Sequence, residues 1–299
     1  MSQKASGRRA FLGVVLAGVA LLASSCKPNA NAAADAGLQS DAAPVVAKRI
    51  VSISPSTTET LVAIGARSAL VGRSRYCDYP PEVLSLPQVG GYVDPSVEAI
   101  LALSPDLVVG ARGPQGRALV DVLSARGIAT YFPETESIDA IAQMIVGLGE
   151  RTGKRAEAAE TLRAMREKIA AVESAERRKP RVRVLLVFGL RPVVVAGPEG
   201  FPNEMLARVN AENVVVKGGA YPSLSFETVI AQDPDVIVNA AIAESHGGQP
   251  ITRDAAGWAN VRAVKEGHVV SLADEAVLRP GPRIGDGIAS LAKAIRGTP

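Results

Sequence analysis

The chain is poor in the residues that carry reactive chemistry. Its 299 residues include two cysteines, two histidines and one tryptophan. No G-X-S-X-G elbow and no H-E-X-X-H pair occurs, so the commonest hydrolase and zinc-protease constellations are missing. A glycine cluster at Gly147, Gly149 and Gly153 follows a helix-like run and misses the G-X-G-X-X-G spacing, so it is not read as a dinucleotide loop. The expectation is a protein that is not an enzyme. With Cys26 assigned to the N-terminal signal, Cys77 is the single remaining thiol, so neither an internal disulfide nor a cysteine metal cluster can form. No apolar run reaches the 18 or so residues of a spanning helix; the longest, Ala10–Ala23, has 14.

That run follows Lys4, Arg8 and Arg9, so it reads as an export signal. Arg8-Arg9-Ala10-Phe11-Leu12 looks like a twin-arginine signal, although the general pathway also accepts two arginines. Ala23-Ser24-Ser25-Cys26 looks like a lipobox with Ala23 where leucine is usual, which makes Cys26 the expected lipidated residue. Residues 1–26 are therefore assigned to the signal and its cysteine. Without residues 1–25 the chain holds 30 basic and 30 acidic residues, so nothing in its charge points to nucleic acid. Residues 27–47, rich in Ala, Asn and Asp without periodicity, read as a tether whose r.m.s. reach is roughly 25 Å.

From Arg49 strands and helices alternate. Arg49–Ser54, Asp106–Ala111 and Ile128–Phe132 read as strands, with helices near Thr57–Ala66 and Gln115–Arg126. Alternation of this kind predicts α/β lobes with mostly parallel sheets. Lys154–Arg177 breaks the pattern: it has no Gly or Pro, and Leu162, Met165, Ile169 and Val172 recur at helical spacing. At 1.5 Å per residue this predicts a rod of roughly 36 Å. Strands resume at Val182–Phe188, Val193–Ala196 and Asp235–Ala240. The organisation read is a first lobe over residues 48–152, a bridging helix over 153–179 and a second lobe over 180–299. An internal repeat supports it. Val97–Gly110 (VEAILALSPDLVVG) and Phe226–Asn239 (FETVIAQDPDVIVN) share Glu, Ala, Pro and Asp in register.

The segments RIVSISPSTTETLVAIGA, SRYCDYPPEV, PQVGGYVDPSVEAILALSPDLVV, YPSLSFETVIAQDPDVIV and RPGPRIGDGIASLA span residues 49–292. In that order they resemble the helical-backbone metal-receptor family, the class III solute-binding proteins of ABC transporters, and its cobalamin-binding members in particular. The resemblance implies two Rossmann-like lobes bridged by one long rigid helix, a ligand clamped between them, and delivery to a permease dimer in the membrane. It implies a corrinoid ligand and no cofactor; haem or a ferric siderophore is the alternative.

Site residues follow. Glu98 and Glu227 each sit two residues after a serine suited to cap a helix, where an acid complements the helix dipole. The resemblance implies that this pair docks onto permease arginines. Tyr76, Tyr79, Tyr92, Phe188, Phe201 and Tyr221 lie in or beside loops after strands, where open α/β sheets bind ligands. Flat rings suit a macrocycle. Tyr76, Tyr92 and Phe188 match pocket positions of the family, although the family more often has tryptophan at the second. Arg279 is expected at the cleft, and Arg283 is expected to brace its loop. Pro282 is expected in the first turn of the last helix. His246 and Cys77 are conceivable axial metal ligands, but a solvated loop histidine and a buried inert thiol are the plainer readings; no resident metal is expected. His268 is expected at an exposed turn. Trp258 is expected to be core.

Overall fold

The structure is a computed structural model that describes residues 46–113, 116–243 and 249–297. In the first lobe, four short strands form a sheet in the order β2-β1-β3-β4: β1 Ile50–Ser52, β2 Leu70–Arg73, β3 Leu107–Val109 and β4 Ala129–Tyr131. Every pairing is parallel. Strands of this kind are buried on both faces, and side chains alternate between them. Ile50, Leu107 and Val109 accordingly enter one apolar cluster. Val51 and Val108 enter another, with Leu119, Val120 and Leu123 of α3 (Gly116–Ser124).

The second lobe is built on a longer strand, β5 Val182–Leu190, which can hold two partners on one edge. Its first residues pair in parallel with β7 (Ala211–Asn213). Its last residues pair antiparallel with β6 (Val193–Val195), which pairs in turn with β8 (Ser223–Leu224). The other edge carries β9 (Val236–Asn239) and then β10 (Val269–Ser271), both parallel. The arm β6–β8 makes this sheet mixed, where the first is purely parallel.

One helix joins the lobes: α5, Arg155–Glu176, with 22 residues against the 24 expected. At 1.5 Å per residue it is about 33 Å long. It follows α4 (Ile138–Thr152), and Gly153, left-handed at φ 68°, turns the chain between them. A Cβ at Gly149 would lie 2.5 Å from Ala158 Cβ, so the glycine run read above lets α4 and α5 pack closely. Opposite α4, α5 packs on the last helix, α9 (Ile284–Arg296), through Met165 and Ile169. The apolar cluster around these two residues holds Ile50 and Val109 of one sheet together with Val184 and Leu186 of the other. The lobes therefore share a core. Among the described residues no helix is long and apolar enough to cross a membrane.

The sequence repeat is a structural repeat. Helices α2 (Val97–Ala102) and α7 (Phe226–Gln232) each start at a serine, Ser96 or Ser225, whose hydroxyl accepts from a backbone N–H of the first turn. Each unit turns through a left-handed residue, Ser104 or Asp233, before its Pro-Asp. Asp106 then accepts from the N–H of Arg49, and Asp235 from that of Arg183, which fixes the starts of β1 and β5. The same two arginines turn back to the last carbonyls of α2 and α7: Arg49 to Leu103 and Ser104, Arg183 to Gln232 and Asp233. These groups are otherwise orphaned at a helix end.

Two local expectations need correction. The last helix begins at Ile284 with Arg283 at its cap, so Pro282 precedes the helix instead of opening it. His268 is half-buried and faces Glu266 at 3.5 Å, because the turn at Gly267 folds it back toward α8 (Arg262–Glu266).

Candidate functional site

In the first lobe all four strands run the same way, so the segments after them gather at one edge. After β1 comes α1 (Pro55–Ala63), whose first turns bury a hydroxyl cluster. Thr57 Oγ1 lies 2.8 Å from Ser52 Oγ and 2.9 Å from Ser54 Oγ, and Ser54 Oγ accepts from the N–H of Ala111. Thr58 donates to Cys77 Sγ at 3.0 Å, which ties the loop after β2 onto α1. That loop presents Tyr76, half-buried, and Tyr79, 42 % exposed. Tyr92, half-buried, donates to the carbonyl of Arg112 in the loop after β3. Residues 132–136, after β4, bring Glu134 and Glu136 to the same edge.

From the second lobe, Phe188 on β5 meets Tyr221 edge to face, with ring centroids 5.8 Å apart. Among the described residues, polar links cross between the lobes at several points. Arg283 grips Glu59 of α1 with two hydrogen bonds, at 2.8 and 2.9 Å, and lies 3.8 Å above the Tyr79 ring. Arg279 approaches Asp78 at 3.6 Å and Glu275 at 3.3 Å. Tyr221 donates to Glu136 at 3.0 Å. Glu204 of α6 (Phe201–Arg208) accepts from the N–H of Ile138, which opens α4. Glu136 in return accepts from the N–H of Phe201, which opens α6. Each lobe thus places a carboxylate on a helix start of the other, where the dipole favours a negative charge.

Burial dominates the electrostatics. It raises the pKa of Glu59, outweighing the hydrogen bonds and charge of Arg283 that pull the other way. Burial also raises Glu136, with Glu134 adding to it against the Tyr221 hydrogen bond. The Tyr92 phenol is pushed up to about 12 by burial, then by Glu136 and Glu134. Tyr221 rises as well, from burial and then Glu136. Between Asp78 and Arg279 the approach is too long for a hydrogen bond. Asp78 Oδ1 and Arg279 Nε have no hydrogen-bond partner among the described residues, a mark of an unfinished polar contact.

The structure therefore draws Tyr76, Tyr79, Tyr92, Phe188, Tyr221 and Arg279 to the facing edges of the lobes. It does not bring Phe201 there: the ring is 2 % exposed and belongs to the core with Met205 and Leu206, and only its N–H reaches Glu136. Cys77 is fully buried between Thr58 and Ser74, and burial raises its pKa, so the thiol has no path to a ligand. Arg283 braces the two lobes instead of its own loop. Trp258 is buried against Phe226, with centroids 5.4 Å apart. His246 and Cys26 lie outside the described residues. Sequence reading missed Glu59, Arg112, Glu134, Glu136 and Glu204. Glu59 stands 224 positions from its partner, and no local pattern marks such a pair.

Glu98 and Glu227 are both exposed, each at the second position of its helix. Each helix leads into the amino end of the following strand, so its own start lies toward the carboxyl edge. The two acids stand on the edges that also carry the tyrosines, one per lobe.

Two α/β lobes joined by one helix, with aromatic side chains gathered on their facing edges, define a ligand-binding protein of the clamp type. The chain belongs to the periplasmic binding protein family, whose model matches residues 50–276. It is 30% identical over 239 residues to a vitamin B12-binding protein of Salmonella typhi, covering 80% of this chain and 86% of that one. Among solved structures it is similar to the periplasmic vitamin B12-binding protein of Vibrio cholerae. The TM-score is 0.72 at 26% identity, over 84% of this chain and 97% of that one. It is equally similar to a periplasmic haem-binding protein of Roseiflexus, with TM-score 0.74 and 28% identity over 84% and 98%.

Proposed function

We propose that this protein captures a corrinoid between its lobes and passes it to the permease of an ABC importer. The observation that carries the reading is the convergence of Tyr76, Tyr79 and Tyr92 from one lobe with Phe188 and Tyr221 from the other. Rings on both walls suit a wide, flat, largely apolar macrocycle, and their hydroxyls suit its polar rim. The likeness to vitamin B12-binding proteins supports it. Glu98 and Glu227 are assigned to the permease contact, one acid per lobe on the cleft side. Cys26 is assigned to a lipid anchor and residues 27–45 to the tether, two positions shorter than expected because Ala47 is buried in the core and donates its N–H to the Arg151 carbonyl. Export is assigned to the twin-arginine or the general route. Membrane fractionation of a Cys26→Ala chain checks the anchor: the variant should move to the soluble fraction, and an unchanged distribution would remove it.

The likeness to a haem-binding protein supports a second reading, in which the Tyr76 oxygen ligates haem iron. Calorimetric titration of the parent, Tyr76→Ala and Tyr76→Phe with cobalamin and with haem separates the two. For a stacked corrin, Tyr76→Ala should weaken cobalamin binding by roughly thirtyfold, about 2 kcal/mol, and Tyr76→Phe should cost little. For ligated haem both variants should lose affinity alike. Parental affinity of Tyr76→Ala for both ligands would put the tyrosine outside the site.

A further inference from the structure

The charged groups around the aromatic walls are unbalanced and already spoken for. Beside Tyr92 and Tyr221, two carboxylates, Glu134 and Glu136, face one guanidinium, Arg112, which lies 2.6 Å from Glu134. Beside Tyr79, three carboxylates, Glu59, Asp78 and Glu275, face two guanidiniums, Arg279 and Arg283, both engaged by those acids. Among the described residues each guanidinium of these patches already lies against a carboxylate, with the Arg279 Nε still without a partner. Of these acids, Glu136 alone has no guanidinium or ammonium partner among the salt bridges of the described residues. It receives the Tyr221 hydroxyl and the Phe201 N–H. A carboxylate has about four acceptor sites, so two donors leave it room for more.

We propose that Glu136 is a specificity-determining residue: it makes the cleft accept ligands whose rim carries carboxamides and reject those whose rim carries carboxylates. The chemistry is one of donors. A primary amide brings N–H groups that Glu136 can accept, whereas a ligand carboxylate brings only acceptors and a like charge into a half-buried site. Glu136 also holds Tyr221, which packs on Phe188, so the discriminating group and the aromatic wall are positioned by the same hydrogen bond. This rests on the corrinoid reading, since a corrin rim bears carboxamides and haem bears propionates, and it names the residue that tells them apart.

The test uses ligands of one shape. The parent and Glu136→Gln are titrated with cyanocobalamin and with a series of its monocarboxylates, each with one peripheral carboxamide hydrolysed. Glutamine keeps an acceptor for Tyr221 and Phe201 and adds a donor for an acid. The parent should prefer the amide over at least one monocarboxylate by about tenfold, ~1.4 kcal/mol, and Glu136→Gln should bring that ratio toward one. A purely structural role would shift both affinities together and leave the ratio alone. Glu204→Gln, which alters the reciprocal link at Ile138, serves as the control and should keep the parental ratio. The same ratios in parent and Glu136→Gln overturn the inference while leaving the corrinoid reading in place. A parent that binds no corrinoid overturns both.

Discussion

In the first lobe Asp106 holds two backbone N–H groups, those of Lys48 and Arg49, ahead of β1. In the second, Asp235 holds only that of Arg183 and gives its other oxygen to the Arg262 side chain. The clamps differ in detail and agree in effect, since an aspartate starts the central strand and the arginine beside it closes the preceding helix. At the opposite edges only the helix starts with Glu98 and Glu227 correspond, and the walls between them do not. The first lobe has a tyrosine loop after β2, while the second has an antiparallel arm and an edge-to-face pair. The amino edges of both sheets face the same problem, how to begin a buried strand without orphaned backbone, and one solution serves both. The carboxyl edges face each other across the cleft, where two copies of one wall would not complement one ligand. Repetition is retained where the constraint is the backbone and lost where it is the ligand.

The sharpest way to break this comparison is at the joint. Glu59 comes from the first lobe and Arg283 from the second, and the Glu59 side chain is 2 % exposed. Arg283→Ala strands that carboxylate, so the loss of stability should be about 3–5 kcal/mol near neutral pH. Because the lobes share a core, one cooperative urea transition should move as a whole. The pH dependence carries a sign. Burial holds the folded Glu59 pKa above its usual value of 4.5. Its neutral form is therefore the one the fold tolerates, and stability from this group is full below pH 4.5 and falls as the pH rises through the folded value. Without Arg283 that fall steepens. The urea midpoint of Arg283→Ala should drop less, relative to the parent, at pH 4.5 than at pH 7.5. Equal drops at both pH values would show that the stranded charge is not the cause.

These parts were legible to different degrees. The two lobes, the bridging helix and the paired glutamates could be read because each is marked by a local pattern: strand alternation, the stretch Lys154–Arg177 without Gly or Pro, and a repeat with Glu, Ala, Pro and Asp in register. The run ahead of the glycines reads as helix-like, but Gly147 and Gly149 lower helix propensity inside α4, and only the approach of Ala158 explains why Gly149 is there. The loops that carry the aromatic residues mark their chain position and not their burial: Tyr221 reaches Phe188 and Glu136, whereas Phe201 is buried in the core. Phe201 is the first residue of α6 and turns its ring into the core, whereas Tyr221 stands in the loop before β8. The links between lobes had no signature at all. Glu136 and Tyr221 are 85 positions apart, and Glu59 and Arg283 are 224. Contacts of that kind are set by how two finished lobes meet.

The smallest effect in the isolated protein is expected from the most closely matched pair. Glu98 accepts from the Ser96 hydroxyl at 3.2 Å. The Glu227 pKa is held below its usual value by its own backbone N–H and by Ser225. Both are exposed and neither touches the core, so replacing them leaves the folded lobes intact. Glu98→Ala, Glu227→Ala and the double variant should all show the parental urea midpoint and the parental ligand affinity. Charges on such a surface govern orientation and encounter with a partner more than the affinity of a separate site. If the two acids meet two equivalent basic patches on a permease dimer, uptake of ligand by cells should fall with either change and fall further with both. A large asymmetry between the single variants would break the two-fold comparison and assign docking to one lobe. Parental uptake in the double variant would mean that the repeated glutamates serve only the helix starts on which they sit.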